Sequence, residues 1–218
     1  MPDISKQSFI VNEIFKSIQG ESTWAGSPCT FVRLTGCNLR CSYCDTTYAY
    51  SDGREMSGKQ IVEAVNAMGP KLVAITGGEP LLQHAHGLIT LLLDKGYKVL
   101  IETNGTLPIG ELDSRAVIIF DVKTPGSGME ETFDLNNLKA LKETDEVKFV
   151  LVDHHDYVWA KEWITHYKLE EACTVLLSPA FGLLKPDALA SWILQDNLSV
   201  RLNLQIHKYI WTPHARGV

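Results

Sequence analysis

Short, continuous apolar segments alternate with helical segments along most of the chain, and this alternation restricts its fold more than any other sequence feature. Five of the apolar segments are rich in β-branched residues and show no alternation with polar residues: KLVAIT, KVLIETNG, AVIIFDVK, EVKFVLVD and TVLLSP. Such strands are typical of a parallel sheet that is covered on both faces. With TFVRLTG near the start and SVRLNLQIHKYIW near the end, we expect six to seven strands.

Helical periodicity occupies the stretches between these strands. SGKQIVEAVNAM predicts an amphipathic helix whose first turn is closed by a capping box of Ser57 and Gln60. Four more helices are predicted, in HGLITLLLDKG, DLNNLKALKE, DYVWAKEWITHYK and KPDALASWILQD. Strands that alternate with helices indicate an α/β fold, either an open sheet or a partial barrel. No low-complexity linker interrupts the chain, so residues 1–218 are expected to form a single domain.

The composition argues against several classes of protein. The net charge is −6 and no run of Lys or Arg occurs, so we expect no nucleic-acid partner, because such proteins neutralise phosphates with a basic surface. No apolar segment reaches the roughly 18 residues of a membrane helix, so no membrane partner is expected. The N-terminal MPDISKQSF lacks the pattern of a secretory signal, which predicts a cytoplasmic location. In that reducing compartment the five cysteines are expected to be thiols or metal ligands.

Polar clusters follow the predicted strands at the point where each strand ends. They are TGC, TGGEP, ETNGT, DVKTPGSG and SPAFG, with IHKY in the last predicted strand. The carboxyl ends of parallel strands meet at one edge of a sheet or one end of a barrel, where ligands bind. We therefore expect these clusters to form one site.

Three cysteines lie close together in TGCNLRCSYCDTTY, with the spacing C-x3-C-x2-C at Cys37, Cys41 and Cys44. A structural zinc site needs four ligands, and a simple electron-transfer iron–sulfur protein uses four thiolates. A 4Fe–4S cluster held by three cysteines leaves one iron open to an exogenous ligand. The spacing favours this third interpretation, with a zinc-binding adaptor and an electron-transfer protein as alternatives.

The cysteine spacing, with Tyr43 before the last cysteine and TGGEP after the next strand, resembles the radical S-adenosylmethionine superfamily. This resemblance implies that S-adenosylmethionine is the ligand of the open iron and yields a 5′-deoxyadenosyl radical when it receives an electron. The cofactors carry this chemistry, while the protein binds and orients them. The glycines of TGGEP would let the methionine amino group approach the main chain.

Further segments resemble the 7-carboxy-7-deazaguanine synthase family over essentially the whole chain: EIFKSIQGES, FVRLTGCNLRCSYCDT, ITGGEP, IETNGT, DVKTPGSG and QIHKYIW. The resemblance implies a trimmed partial (β/α) barrel with mostly parallel strands, in a homodimer. It implies a lyase that contracts the ring of 6-carboxy-5,6,7,8-tetrahydropterin with loss of ammonia, on the route to queuosine-type 7-deazapurines. Mg2+ would assist, and a flavodoxin or ferredoxin would supply electrons. The alternative within the superfamily is an activating protein for a glycyl-radical enzyme.

The same resemblance implies roles for individual residues. Substrate contacts are expected at Ile18, Gln19, Gly20, Glu21, Arg33, Thr76, His207 and Pro213. Contacts to S-adenosylmethionine are expected at Tyr43, Cys44, Asp45, Gly78, Glu79, Asp121, Val122, Lys123, Ser178, Pro179, Ala180 and Phe181, and a contact to Mg2+ at Thr46.

Physical chemistry supports some of these roles. The planar guanidinium of Arg33 suits a bidentate grip on the substrate carboxylate. One hydroxyl, that of Thr46, is a poor site for Mg2+, so the ion is expected to bind mainly together with the substrate. His207 is predicted to lie in the last strand. Some members of the family end at the position of Pro213, where the terminal carboxylate meets the substrate. Here the chain continues as HARGV, so Arg216 or the actual C-terminus is the candidate for that role.

Overall fold

The computed structural model describes residues 6–213 and 215–218. Residues 1–5, which begin the N-terminal segment MPDISKQSF, and His214, in the HARGV tail, lie outside the described residues. No helix in the described ranges is long and apolar enough to cross a membrane. In chain order, the strands and helices described are β1 Ser8–Ile18, β2 Pro28–Leu34, β3 Arg54–Ser57, α1 Gly58–Met68, β4 Leu72–Gly77, α2 His86–Asp94, β5 Lys98–Thr103, β6 Val117–Val122, β7 Glu146–Leu151, α3 His154–Tyr167, α4 Leu169–Ala172, β8 Thr174–Pro179, α5 Pro186–Asp196, β9 Arg201–Leu202 and α6 His207–Ile210.

The strands form one sheet in the order β3-β1-β2-β4-β5-β6-β7-β8-β9. β1 pairs antiparallel with β2 and β3, whereas all the remaining pairs are parallel. Strands β4 to β9 follow one another in both sequence and space, so the chain winds in one direction, as in a (β/α) barrel. The edge strands β3 and β9 do not pair with each other, which leaves the barrel open. The predicted partial barrel is confirmed.

Alternate residues of the parallel strands pack on opposite faces of the sheet. On β4, Val73 and Ile75 belong to the main core beneath the helices, whereas Leu72 and Ala74 belong to a small cluster on the inner face. We call this the inner cluster; its buried members are Cys29, Phe31, Leu72, Ala74, Leu100, Val117 and Ile119. Both faces are therefore apolar along the lower part of each strand, which explains the continuous apolar segments in the sequence.

Above the inner cluster, the same face of the sheet becomes polar. Arg33, Thr76, Glu102 and Asp121 each stand two residues after a member of the inner cluster and line a cavity. The period of two in a strand thus determines which polar side chains reach the cavity. The predicted capping box at the start of α1 is also present, since Gln60 Oε1 accepts from Ser57 N at 2.8 Å while Ser57 Oγ accepts from Gln60 N.

Strands β1 and β3 were not predicted. β1 has a half-exposed pattern with polar residues at several positions, unlike the continuous apolar segments of the buried strands. Its neighbours are antiparallel, and such strands can face solvent on one side. A search for buried parallel strands therefore overlooks it.

The predicted helix in DLNNLKALKE is wrong in type, because Leu135–Ala140 forms a 3-10 helix. Asp134 does cap it, as its side chain accepts from Asn136 N at 3.0 Å. Asn137 is buried, donates to the carbonyls of Gly105 and Leu107, and accepts from Ile109 N. These tertiary hydrogen bonds tie the segment to the β5–β6 connection and override its helical periodicity.

The predicted last strand is also wrong beyond its first residues, because β9 contains only Arg201 and Leu202. Asn203 follows it, buried, and its side chain accepts from Ser22 N at 2.8 Å and donates to Ser178 Oγ at 2.7 Å. These bonds turn the chain towards the β1–β2 loop. His207 consequently lies at the start of helix α6 rather than in a strand.

Candidate active site

A cavity of about 840 Å³ opens at the carboxyl ends of the strands, which is the location predicted from the sequence. It is at the upper end of the usual range for small-molecule sites. The predicted site residues that line it are Ile18, Gln19, Gly20, Glu21, Arg33, Cys37, Cys41, Tyr43, Cys44, Asp45, Thr46, Thr76, Gly78, Asp121, Lys123, Ala180, Phe181, His207 and Pro213.

Four of the predicted cofactor residues do not line the cavity. Val122 belongs to the main core, and Ser178 is buried, where its hydroxyl accepts from Asn203. Pro179 ends β8 with its side chain buried. Glu79 is fully buried beside the ends of β4 and β5. The structure places these four side chains behind the cavity wall.

The cysteine loop follows β2 and brings three free, half-buried thiols to one wall of the cavity. Ser42 fixes the loop, because its N–H donates to Ser127 O at 3.0 Å and its hydroxyl donates to Gly126 O at 2.6 Å. Burial raises the pKa of Cys37 and Cys41 above the ordinary thiol value. A bound metal centre reverses this effect, since it deprotonates the thiols that coordinate it.

The TGGEP segment lies against the cysteine loop. A Cβ atom at Gly78 would come within 2.6 Å of Cys37 Cβ, so this position requires glycine. Burial raises the pKa of Glu79, although its carboxylate accepts from Asn104 N at 2.7 Å, Leu81 N at 3.0 Å and Thr103 Oγ1 at 2.9 Å. Glu79 thus connects the end of β4 with the end of β5, while Gly78 lines the cavity.

Four charged side chains that line the cavity form a connected series of ion pairs. Lys148 Nζ lies 2.9 Å from Glu21 Oε2 and 3.5 Å from Asp121 Oδ2, and Lys123 Nζ lies 3.0 Å from Asp121 Oδ1. Burial alone would raise the pKa of Glu21, but Lys148, helped by a hydrogen bond from Gln205, lowers it below its ordinary value. Glu21 is therefore an ionised acceptor.

Sequence reasoning missed Lys148 and Glu102 as site residues. Glu102 Oε2 accepts from Thr76 Oγ1 at 2.9 Å, and Oε1 accepts from Gln19 Nε2 at 3.3 Å. The signal for Lys148 was a lysine within the apolar strand EVKFVLVD, and Glu102 stands in the quoted segment ETNGT. Glu21 and Glu102 give the cavity two carboxylates suited to a ligand with N–H donors.

Arg33 occupies another wall of the cavity. Its Nε donates to Glu13 Oε1 at 2.8 Å, and Tyr48 OH donates to the same oxygen at 3.2 Å. The guanidinium carbons of Arg33 and Arg216 lie 5.7 Å and 3.8 Å from the centre of the Tyr48 ring. Within the described part of the chain the terminal amino groups of Arg33 have no hydrogen-bond partner. This wall therefore suits an anion such as a carboxylate.

Asp45 and Thr46 place oxygen atoms beside the last cysteine. Thr46 Oγ1 donates to Asp45 Oδ1 at 2.9 Å, and Lys208 Nζ donates to Asp45 Oδ2 at 2.6 Å. Burial would raise the pKa of Asp45, but Lys208 lowers it to about 2. An ionised carboxylate beside a hydroxyl is a partial ligand set for a hard cation such as Mg2+.

His207 lies against the β1–β2 loop. Ile206 N donates to Gly20 O at 2.9 Å, and the imidazole fills the space where a side chain at position 20 would begin. Burial lowers the pKa of His207, an effect that the nearby Glu21 only partly opposes. The ring is therefore neutral near pH 7 and can both donate and accept a hydrogen bond.

The residues of the cavity fit a cluster held by three thiolates with an organic ligand beside it. Asp121 Oδ1 is buried and, among the described residues, has no hydrogen-bond donor, since the 3.0 Å approach of Lys123 lacks hydrogen-bond geometry. Asp121 nevertheless lines the cavity, so its carboxylate is an acceptor for a hydroxyl-bearing ligand beside the cluster.

Comparisons with known proteins agree with this chemistry. The profile of the Radical SAM superfamily matches residues 31–121. Proteins named 7-carboxy-7-deazaguanine synthase from Chlorobaculum tepidum and Koribacter versatilis are 48% and 46% identical over 95% of this chain, which spans 96% and 99% of their lengths.

A solved structure shares the fold. The crystal structure of QueE from Escherichia coli superimposes with a TM-score of 0.75 at 22% identity, covering 90% of this chain and 93% of that one. Because the sequence relatives match almost end to end, the chain belongs to the 7-carboxy-7-deazaguanine synthase family of radical S-adenosylmethionine enzymes.

Proposed function

We propose that this enzyme is a carbon–nitrogen lyase that converts 6-carboxy-5,6,7,8-tetrahydropterin to 7-carboxy-7-deazaguanine with loss of ammonia. The observation that carries the proposal is one cavity that unites three free thiols, the carboxylates of Glu21 and Glu102, and the guanidinium of Arg33. This set matches a cluster, a ligand with N–H donors and a carboxylate. Residues 1–218 would act as one domain.

When bound, the 4Fe–4S cluster and S-adenosylmethionine supply the radical that removes a hydrogen atom from the substrate and later returns it. Cys37, Cys41 and Cys44 would hold the cluster. Asp121, which lines the cavity, would accept from the ribose hydroxyls through its carboxylate. Gly78 would present its main chain to the methionine end, where a larger residue would displace Cys37.

The pterin would be oriented by charges at its two ends. Arg33, held through Nε by Glu13, would direct its two amino groups to the substrate carboxylate. Glu21 and Glu102 would accept from the N–H groups of the pyrimidine ring. Both carboxylates already accept hydrogen bonds from neighbouring side chains, and the substrate would complete their hydrogen bonding.

Mg2+ would bind at Thr46 and Asp45, with the substrate carboxylate as a further ligand. We expect Thr46→Ala to raise the Mg2+ concentration for half-maximal product formation about tenfold or more. Thr46→Ser keeps the hydroxyl and should leave this concentration unchanged. The measurement is the Mg2+ concentration for half-maximal product formation, together with Mg2+ binding with and without substrate. Tight binding to the substrate-free enzyme would contradict this assignment.

The remaining partners are also proposals: a homodimer, and a flavodoxin or ferredoxin as electron donor. The comparisons with known proteins do not support the three alternative functions. The relatives reported above are named synthases, which sets aside the glycyl-radical activator, the zinc adaptor and the simple electron-transfer protein.

The decisive experiment is an anaerobic assay of reconstituted enzyme with dithionite, S-adenosylmethionine, Mg2+ and the pterin, with the product identified by mass. Product should form, and it should disappear in Cys37→Ala together with the cluster iron. Cys173→Ala is the matched control, since Cys173 is buried away from the cavity and should leave iron content and product intact. Cleavage of S-adenosylmethionine without any deazaguanine would overturn the proposed substrate.

A further inference from the structure

Lys148 is a buried cation shared between two carboxylates. It lies on β7 directly opposite Asp121 of β6, and its side chain is only 9% exposed. Its ammonium is 2.9 Å from Glu21 and 3.5 Å from Asp121. Burial would lower the pKa of Lys148, but Glu21, Asp121 and Glu102 together raise it well above its ordinary value. The side chain is therefore a permanent charge within the cavity wall.

The two partners of Lys148 belong to different halves of the site. Glu21 lies in the β1–β2 loop, next to Gln19 and Gly20, on the side assigned to the pterin. Asp121 lies at the end of β6, on the side assigned to S-adenosylmethionine, and one of its oxygens still has no hydrogen-bond donor. Lys148 is thus the direct ionic link between the two proposed ligand sites.

Charge neutralisation alone does not explain this placement. Lys123 already neutralises Asp121 at 3.0 Å, so a cation that only neutralised Glu21 would not need to reach Asp121 as well; Gln205 adds an uncharged hydrogen bond to Glu21 at 2.9 Å. Burying an ammonium carries a large desolvation cost, and well-packed apolar residues often replace a buried ion pair without loss of stability. A lysine that spans both carboxylates therefore suggests a role in the site.

We propose that Lys148 is a positioning residue that couples the binding of the pterin substrate to the binding of S-adenosylmethionine. The inference rests on the proposed function. Either ligand, by fixing its own carboxylate, fixes the shared ammonium, and this places the second carboxylate in advance. The second ligand then meets a site that is already ordered, so each ligand strengthens the binding of the other.

The test is a binding cycle on the cluster-loaded enzyme, kept anaerobic and without reductant so that no turnover occurs. Equilibrium dialysis gives the dissociation constant of S-adenosylmethionine with and without the pterin, and the ratio is the coupling factor. For the wild type we expect a factor of about five or more. For Lys148→Met we expect a factor near one, and Lys148→Arg, which keeps a cation, should restore coupling.

Lys123→Met is the matched control. It removes a cation from the same Asp121 but not from Glu21, so it should weaken the binding of S-adenosylmethionine and leave the coupling factor unchanged. Glu21→Gln tests the other carboxylate: with the pterin at a concentration that saturates the variant, it should abolish coupling without altering the affinity for S-adenosylmethionine alone. This variant also serves if Lys148→Met fails to fold, as judged by circular dichroism and iron content.

The outcomes separate the two proposals. A coupling factor of one in the wild type would overturn the role of Lys148, and so would an undiminished coupling factor in Lys148→Met or Glu21→Gln. Product formation by the wild type would still leave the proposed function intact. A wild type that neither binds nor converts the pterin overturns the proposed function, and the coupling role falls with it.

Discussion

Arg33 shows how single side chains in the cavity are prepared for a ligand. Glu13 holds its Nε, Tyr48 lies beside its guanidinium, and the residue lines the cavity. A lysine at this position could keep one ion pair but could not bind Glu13 and a carboxylate in the same planar arrangement.

We predict that Arg33→Lys raises KM for the pterin about tenfold or more with a smaller effect on kcat, because a charge-assisted hydrogen bond contributes about 1.5 to 3 kcal/mol. Steady-state kinetics of product formation measure this change. Arg54→Lys is the control, since Arg54 is exposed on β3. An unchanged KM in Arg33→Lys would remove Arg33 from the substrate site.

His207 gives the molecule a pH dependence whose sign follows from its environment. Burial lowers the pKa of His207, with Lys208 acting in the same direction and Glu21, Asp45 and Glu102 opposing. The unfolded chain therefore takes up this proton more readily than the folded protein. The contribution of His207 to the free energy of unfolding is complete above its ordinary pKa of about 6.5. It is lost as the pH falls through the lowered pKa of the folded protein.

We predict that the free energy of unfolding of the wild type falls more steeply below about pH 6.5 than that of His207→Gln. Denaturant titrations of the apo protein at several pH values measure the two slopes. His155→Gln is the control, because His155 is exposed on α3 away from the cavity, and it should follow the wild type. Parallel curves for the wild type and His207→Gln would contradict the prediction.

At the scale of elements, the site depends on the contact between the β1–β2 loop and α6. The turn at Asn203 directs the chain to this loop, and Ile206 N donates to Gly20 O. The imidazole of His207 then fills the space beside Gly20. Two segments that are far apart in sequence are thereby held in contact over the cavity.

We predict that Gly20→Ala lowers kcat/KM about tenfold to a hundredfold, because its methyl group would collide with the His207 ring and displace both elements. Gly110→Ala is the control, since an added Cβ there would meet only Ala140 Cβ, at 3.7 Å. The same anaerobic assay measures both variants. Full activity in Gly20→Ala would show that the loop and α6 can separate without loss.

At the scale of the whole molecule, one sheet and one main core run from β1 to α5. The main core includes Phe9 and Val11 at one end of the chain and Leu189 and Ile193 at the other. Residues from both ends of the described chain thus share one core, as residues of one domain do.

We predict that the apo protein unfolds in a single cooperative transition. Far-UV circular dichroism follows the whole sheet, whereas fluorescence follows the five tryptophans. Three of them, Trp159, Trp163 and Trp192, pack against the main core, and Trp24 packs against the inner cluster. The two denaturant curves should coincide. Two separate transitions would contradict the assignment of residues 1–218 to a single domain.

The sequence by itself determined the fold class, the capping of α1, the cysteine loop and the edge of the sheet where ligands bind. Each of these follows from local information: apolar runs on strands buried on both faces, a serine and a glutamine three residues apart, and cysteines within one loop. Periodicity and spacing are properties of neighbouring residues, so a single sequence is sufficient to reveal them.

The tertiary structure alone decided which distant side chains meet. Lys148 and Glu21 are 127 positions apart, and only the register of β6 with β7 and the path of the β1–β2 loop bring them together. Asn203 likewise ended β9 through partners at Ser22 and Ser178, and so placed His207 on a helix. Buried polar groups must find hydrogen-bond partners wherever the packed chain provides them, and that requirement is not encoded in local sequence patterns.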